Sequence, residues 1–296
     1  MSACASDYSW QEDAGSLTLF KQEQIVWRFN YGKDQTKPYF DPVSLPGHSS
    51  LTWVGPPDHP WHYGVWFSWK YINGVNYWEE NRKTLKPAGV TSWDAVEISR
   101  KLDGAATISM QVRYAPAGKT NLLTEMRVIR ISAPDASGQY HMDWEQTFKA
   151  LADLTLDRTP PPGNPGSKPW GGYGGLSVRF SRNFKQWKAA TSESHVDMKA
   201  HGQHASAADF SGSIKGVLCG IAILDHLDNP TAPTAWFYVM QPQVPFAYFN
   251  PAVLFHKPLT MKAGEEMVLR YRVVVHPGRW NVEMLKSEIK TFGGVK

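Results

Sequence analysis

Two histidines, one aspartate and three tryptophans lie within the twelve residues DHPWHYGVWFSW (58–69). His59 and His62 are three residues apart, so both rings can face one cavity if the loop turns tightly. Prolines within and just before this stretch restrict the backbone and hold the loop rigid. An imidazole that titrates near neutral pH suits acid/base catalysis or contact with a substrate. Two alternatives stay open: a metal pair, whose further ligand the sequence does not clearly supply, and a structural role in the loop.

Two adjacent carboxylates, Glu79 and Glu80, end the segment YINGVNYWEEN (71–81). A carboxylate beside an indole such as Trp78 can have its pKa raised by desolvation, which suits a general acid. The alternative is that both glutamates are exposed at a strand end. We take Glu80 as a candidate catalytic group.

Arg179 lies in an otherwise apolar stretch at the end of PWGGYGGLSVRF (169–180). If its side chain faces inward, it must be paired. Its partner is either a substrate carboxylate, which a guanidinium binds through two parallel hydrogen bonds, or a structural Asp or Glu. The glycines before it allow the backbone to approach a ligand closely. Their spacing is not that of a dinucleotide-binding motif, and no helix follows.

The C-terminal half supplies polar residues at the ends of apolar stretches. HGQHA (201–205) offers two more histidines, ILDHLDNP (223–230) contains His226 and Asn229, and FAYFNPAVLFHKPL (246–259) contains Tyr248 and His256. Side chains at strand ends can point into the mouth of a sandwich. An aspartate directly before a histidine does not usually orient that ring, so Asp225 and His226 are not taken as part of a triad.

The elements that must position these residues are mostly strands. Alternation of apolar and polar residues predicts strands over 25–31, 107–114, 140–148 and 266–276. Turns rich in Gly, Pro and Asp separate them, which favours antiparallel sheets. One helix is predicted over 281–292, with Asn281 as its N-cap. We therefore predict an all-β fold, a large antiparallel β-sandwich with a short C-terminal helix that closes one end.

Length and composition agree with a single large domain. We assign residues 1–15 to a flexible N-terminus and 16–296 to the β-sandwich domain. The net charge of +4 is mild and the basic residues form no run, so no nucleic-acid partner is expected. No apolar stretch reaches the roughly 20 residues of a membrane helix, and a disulfide between Cys4 and Cys219 is not expected. We expect a soluble, cytoplasmic protein, or a periplasmic one if a leader was removed.

As a combination, several segments resemble a large bacterial family labelled "methane oxygenase PmoA". These segments follow the order of that family over about residues 16–277, and they are PPDHPWHYGVWFSW, NGVNYWEE, GGYGGLSVRF, HGQ, GIAILDHLDNP and GEEMVLRYRVVVH. The family commonly has His-His-Arg-Gly where this chain has WHYG (61–64). His62 matches the second histidine, whereas Trp61 and Tyr63 replace the other histidine and the arginine.

Methane oxidation by an integral-membrane subunit requires long apolar helices, which this sequence lacks, so that activity is rejected. The resemblance instead implies a sugar-processing context and a sandwich similar to those of aldose epimerases and polysaccharide lyases. Such a fold does not by itself fix a function.

Taken together, the residues predict a carbohydrate-active enzyme, a carbon–oxygen lyase or dehydratase that acts on a uronate or keto-sugar by histidine acid/base catalysis. The alternatives are a glycoside hydrolase, an aldose epimerase and a non-catalytic sugar-binding protein. The expected partner is a sugar or oligosaccharide, with a homodimer left open and no metal or cofactor assigned. The candidate catalytic residues are His62, His59, His226 and Glu80. The candidate substrate-binding residues are Arg179, Tyr173, Trp66, Trp78, Tyr248, His256 and Asn229.

Overall fold

The computed structural model describes residues 7–293 and consists almost entirely of strands. In chain order the elements are β1 (Tyr8–Asp13), β2 (Ser16–Lys21), β3 (Gln24–Asn30), β4 (Tyr39–Val43), β5 (Val65–Ser68), β6 (Tyr71–Ile72), β7 (Val75–Asn76), β8 (Gly89–Arg100), β9 (Ala106–Pro116), β10 (Leu123–Ile131), β11 (Tyr140–Ala150), β12 (Leu154–Asp157), β13 (Gly175–Arg179), β14 (Lys185–Thr191), β15 (Ala207–Ile214), β16 (Val217–Asp225), β17 (Trp236–Gln241), β18 (Phe246–Pro251), β19 (Leu259–Met261), β20 (Glu266–Pro277) and α1 (Val282–Gly293). A 3₁₀ turn spans Asp197–Ala200.

Two sheets of eight strands each make up the fold. The first sheet has the order β1-β2-β3-β4-β5-β13-β18-β17, and the second has the order β14-β15-β16-β20-β11-β10-β9-β8. The pairing is antiparallel, as in the long contacts of β11 with β10 and β20. A third, small sheet joins β19, β12, β6 and β7. The predicted all-β antiparallel class is confirmed, and the four predicted strands correspond to β3, β9, β11 and β20.

The core lies between the two large sheets and is rich in aromatic rings. Phe40 of the first sheet contacts Trp144 of the second, with ring centroids 5.9 Å apart. Phe67 and Phe148 make a similar contact at 5.6 Å. Because side chains alternate along a strand, each sheet turns one face to this core and leaves the other face for loops, the helix or solvent.

Helix α1 covers the outer face of the second sheet instead of closing an end of the sandwich. Asn281 accepts a hydrogen bond from the backbone N–H of Met284 at 3.0 Å, so the predicted N-cap is present. Leu285 is fully buried in a cluster with Leu224 and Trp280. Small and aliphatic side chains on the outer face of the second sheet leave an apolar surface, which the apolar side of the helix buries.

The N-terminal segment differs from its prediction. Residues 1–15 were assigned to a flexible terminus, but Tyr8–Asp13 form β1 and pair with β2. Trp10 explains the difference, because its indole packs edge-on against Trp27 and donates a hydrogen bond to the carbonyl of Lys101 at 2.9 Å. Residues 1–6, with Cys4, and 294–296 lie outside the described residues. Within 7–293, no helix is long and apolar enough to cross a membrane.

Candidate functional site

A pocket lies on the outer face of the first sheet, on the side opposite the core. In β5, Val65 and Phe67 face the core, so Trp66 between them faces outward. The same alternation places Arg179 of β13 and Tyr248 of β18 on the outer face, where the register pairs them directly. The site therefore depends on strand register, because a slip by one residue would turn these side chains into the core.

The pocket has a volume of about 610 Å³, a size typical of small-molecule sites. Strands β17 and β18 contribute aromatic rings, among them Phe237, Phe246 and Tyr248. The loops after β4, β7 and β12 supply the polar groups and further aromatic rings, namely Asp58, His59, Trp61, His62, Glu79, Arg82, Trp170 and Tyr173. The pocket thus combines aromatic faces with imidazoles, two carboxylates and a guanidinium.

The loop between β4 and β5 is closed by its own backbone. The N–H of His62 donates to the carbonyl of His59 at 3.0 Å, and the N–H of Gly55 donates to the carbonyl of His62 at 2.9 Å. Gly64 has a φ of +62°, and a Cβ there would lie 2.3 Å from the carbonyl oxygen of Phe40, so only glycine fits. Within this loop, the rings of His59 and His62 stack with their centroids 4.8 Å apart.

A chain of contacts leads from the buried Arg179 to His59. The Arg179 guanidinium donates to both carboxylate oxygens of Asp58, at 2.8 and 3.1 Å, and the other contact of Asp58 joins it to Nδ1 of His59 at 2.9 Å. Burial raises the pKa of Asp58, but His59 and Arg179 outweigh this effect, so the pKa lies below its usual value. Burial lowers the pKa of His59 and outweighs the opposing effect of Asp58.

The chemical consequence is an oriented base. A charged carboxylate next to Nδ1 favours the tautomer in which Nδ1 holds the proton and Nε2 has a free lone pair. Adjacent Asp and His residues were expected not to bond each other, and Asp58 with His59 is an exception. For Asp225 and His226, the expectation that the two side chains do not bond each other agrees with the geometry. Asp225 instead accepts hydrogen bonds from Asn229 and Thr234.

His62 lies deeper than His59 and is surrounded by rings. Its ring centroid is 5.1 Å from that of Trp66 and 5.2 Å from that of Tyr248. Burial, followed by the charges of nearby residues, holds the pKa of His62 well below its usual value. Within residues 7–293, its buried Nδ1 has no hydrogen-bond partner. His62 is therefore a neutral imidazole that lines the pocket wall.

Glu79 and Glu80 point to different places. Glu79 lines the pocket, pairs with Lys70 and accepts a hydrogen bond from the Tyr173 hydroxyl at 2.7 Å. Burial raises the pKa of Glu79, but Lys70 outweighs it, so the pKa lies below its usual value. Glu80 does not line the pocket and instead accepts from the Tyr63 hydroxyl at 2.5 Å. The structure thus places Glu79 in the pocket, whereas the candidate catalytic residue Glu80 lies outside it.

Arg179 has no exposed side-chain surface and is already paired with Asp58. Of the two partners left open for it, the structure supplies the protein carboxylate. Its guanidinium lies 3.9 Å from the centroid of the Phe246 ring, directly behind the pocket wall. Arg179 therefore acts on the pocket through Asp58, and direct contact with a substrate would require Asp58 to move.

Among the other predicted binding residues, Tyr173 and Tyr248 line the pocket, whereas Trp66 and Trp78 lie behind it. Both tryptophans are almost fully buried, and their rings are 5.5 Å apart. They support the ring of His62 and are not available for stacking on a substrate. The exposed indole at the pocket is Trp170, with 57% of its surface accessible. The sequence feature that could have identified Trp170 as a binding residue is its position after a proline in PWGGYGG.

Three predicted site residues lie elsewhere. His226 contacts Phe292 of α1, with ring centroids 5.4 Å apart, and so lies with the helix and not in the pocket. Asn229 is buried and donates to Asp225 at 2.7 Å, which makes it part of a turn. His256 is exposed and stacks on His204 at 5.0 Å beside a separate, smaller pocket. Residues at the strand ends do not meet in one site, because the pocket is formed on the outer face of a sheet.

No group of three or more His, Cys, Asp or Glu side chains with the geometry of a metal site occurs within residues 7–293. His59 and His62, the pair considered as metal ligands, are stacked face to face. Nδ1 of His59 is held by Asp58. The geometry thus describes an oriented base stacked on a second, neutral imidazole.

The chain is an all-β sandwich with a pocket on the outer face of one sheet. It belongs to the family DUF6807, a family of unknown function, whose model matches residues 16–290. The resemblance to the family labelled methane oxygenase stays a prediction. No curated protein matches the chain.

Solved structures with a similar fold share little sequence with this chain. An α-galactosidase from Lactobacillus brevis has a TM-score of 0.42 at 9% identity, over 92% of this chain and 40% of that one. The galactosidase domain of an α-galactosidase-sucrose kinase has a TM-score of 0.35 at 10% identity, over 94% and 42%. A polysaccharide lyase has a TM-score of 0.32 at 11% identity, over 99% and 35%. This chain thus spans about two fifths of their length, and the likeness concerns the fold alone.

Proposed function

We propose that the protein is a carbohydrate-active enzyme, a carbon–oxygen lyase or dehydratase acting on a uronate or keto-sugar, with His59 as the base. The observation that supports this most directly is the contact chain from Arg179 through Asp58 to His59 at an aromatic pocket. Asp58 orients the imidazole through Nδ1, and burial lowers the pKa of His59, so Nε2 is free to accept a proton. Such a base typically contributes about 10²- to 10⁴-fold to the rate.

The pocket walls suit a sugar. Aromatic faces such as those of Trp61 and Trp170 can stack on the C–H faces of a pyranose, while side chains such as Gln241 can hydrogen-bond hydroxyls. The neutral ring of His62 adds an uncharged polar group to the pocket lining. In such a site, aromatic side chains contact the faces of the sugar ring, and polar side chains distinguish one sugar from another by hydrogen bonds to the hydroxyls at its edge.

The reaction is an elimination. The C–H group next to the substrate carboxyl or carbonyl loses its proton to Nε2 of His59. The electron pair of that bond forms a carbon–carbon double bond as the neighbouring C–O bond breaks. The departing oxygen then takes the proton from the imidazolium, so base and acid are the same ring. The step balances without an oxidant or reductant.

A glycoside hydrolase is supported by one observation and opposed by another. Asp58 and Glu79 both line the pocket, as two catalytic carboxylates would. However, such an enzyme needs one carboxylic acid with a raised pKa, and the pKa of each of these groups is lowered. An aldose epimerase would use the same proton removal by His59, followed by return of a proton to the opposite face.

The test is an assay of the purified protein on uronate-containing oligosaccharides and on keto-sugars, without added cofactor. A lyase or dehydratase gives an unsaturated product that absorbs in the near ultraviolet, and His59→Gln should abolish its formation. Reducing ends without such absorbance would indicate a hydrolase, and altered optical rotation at constant mass an epimerase. Sugar binding without turnover of any substrate would overturn the catalytic proposal.

A further inference from the structure

Among the described residues that line the pocket, Arg82 is the only lysine or arginine. Its guanidinium lies 5.7 Å from the centroid of the Trp61 indole. No described carboxylate forms an ion pair with it. Trp61 also contacts the ring of His59, with centroids 5.6 Å apart. Arg82 and the candidate base His59 thus both contact Trp61.

The two anions of the pocket already have cationic partners within the protein. Asp58 is paired with Arg179, and Glu79 is paired with Lys70. These two pairs cancel in charge, which leaves the positive charge of Arg82 uncompensated. An anionic substrate group entering the pocket would therefore meet one available cation and no unpaired anion.

The backbone around Arg82 is fixed by the residues beside it. The side-chain oxygen of Asn81 accepts hydrogen bonds from the N–H groups of Lys83 and Thr84, at 2.8 and 3.3 Å. The N–H of Asn81 donates to the carbonyl of Lys86 at 3.0 Å. A guanidinium held over an indole keeps its N–H edge free for two parallel hydrogen bonds to a carboxylate.

We propose that Arg82 binds the carboxylate of an acidic sugar, so that the substrate class is a uronate and not a keto-sugar or a neutral sugar. This rests on the proposed function of the same pocket. In a uronate, the carbon that loses its proton is bonded to the carboxyl group. A guanidinium on that group stabilises the negative charge that develops there as His59 removes the proton.

The test uses calorimetry with methyl glucuronide and methyl galacturonide against the corresponding neutral methyl glycosides. The wild-type protein should bind an acidic glycoside roughly 10- to 100-fold more tightly than its neutral counterpart, the range for hydrogen bonds to charged groups. Arg82→Gln should remove this preference, and Arg82→Lys should retain part of it. Lys83→Gln, which removes an equal charge from the same loop outside the pocket lining, should leave the preference intact.

Loss of the preference in Arg82→Gln alone supports the assignment. Equal affinities of the wild type for acidic and neutral glycosides, or an equal loss in Lys83→Gln, would overturn it. This binding measurement does not depend on catalysis, so it separates the two proposals. Undiminished turnover in His59→Gln would remove the lyase mechanism while leaving the role of Arg82 standing. Binding of no glycoside by the wild type would overturn both.

Discussion

Replacing Asp58 with Asn tests the contact chain at the centre of the site. The substitution keeps the shape of the side chain but removes the negative charge that Arg179 and His59 share. An amide also offers an N–H where both neighbours require an acceptor. We expect kcat to fall by about 10²- to 10⁴-fold, because the base loses both its tautomer and its orientation.

The cost in stability follows from burial. Arg179 has no exposed side-chain surface, whereas 35% of the Asp58 side chain is exposed. Removing one partner of a fully buried pair costs about 3–5 kcal/mol, and an exposed pair contributes about 0–1 kcal/mol. We therefore expect the free energy of unfolding to fall by about 1–3 kcal/mol, measured by urea denaturation.

A second measurement needs no substrate. Asp58 raises the pKa of His59, while burial, the largest influence, and the charge of Arg179 lower it. In Asp58→Asn the pKa of His59 should therefore fall further below 6.5, as followed by NMR titration of the ring. An unchanged or raised pKa would refute the reasoning.

The double variant Asp58→Asn with Arg179→Met separates catalysis from stability. It removes the buried cation along with its partner, so most of the lost stability should return while kcat stays low. If stability does not return, the loss in the single variant did not come from an uncompensated guanidinium.

Three further predictions concern single residues. Burial keeps His62 neutral in the folded chain. In the unfolded chain the same histidine binds a proton below about pH 6.5. The free energy of unfolding should therefore fall by up to about 1.4 kcal/mol per pH unit as the pH decreases below that value. His62→Phe should remove that contribution, seen as the difference between wild-type and variant urea titrations, and parallel titrations would contradict it. Glu80→Gln should cost about 3–5 kcal/mol in the same assay because it leaves the buried Lys37 unpaired, with kcat nearly unchanged; a stable variant without turnover would show that Glu80 is catalytic after all. Trp170→Ala should raise KM for an oligosaccharide with kcat unchanged and shift stability by less than about 0.5 kcal/mol, and an unaltered KM would exclude this indole from binding.

The strands and the helix could be predicted because their signals are local. Alternation in YHMDWEQTF (140–148) fixes which side chains face the core, and Asn281 caps its own helix. The edge strand β1 was missed because its stability comes from Trp10 packing on Trp27 across the sheet. The position at which helix α1 packs was also not predicted, because it depends on which sheet face is left apolar.

Part of the site could also be predicted. His59, His62, Tyr173 and Tyr248 line one pocket, as types and spacing indicated. Glu80 and His226 do not, because side-chain direction and strand order decide where such residues point.

The sequence by itself determined the all-β class, the rigid loop that holds the two histidines and the aromatic character of the binding surface. These follow from residue periodicity and from short-range backbone restriction. Only the tertiary structure decided that the buried Arg179 is bound to Asp58, and that Arg82 is the cation at the pocket. Pairing across 121 positions of the chain depends on strand register and sheet order, and no local pattern encodes either.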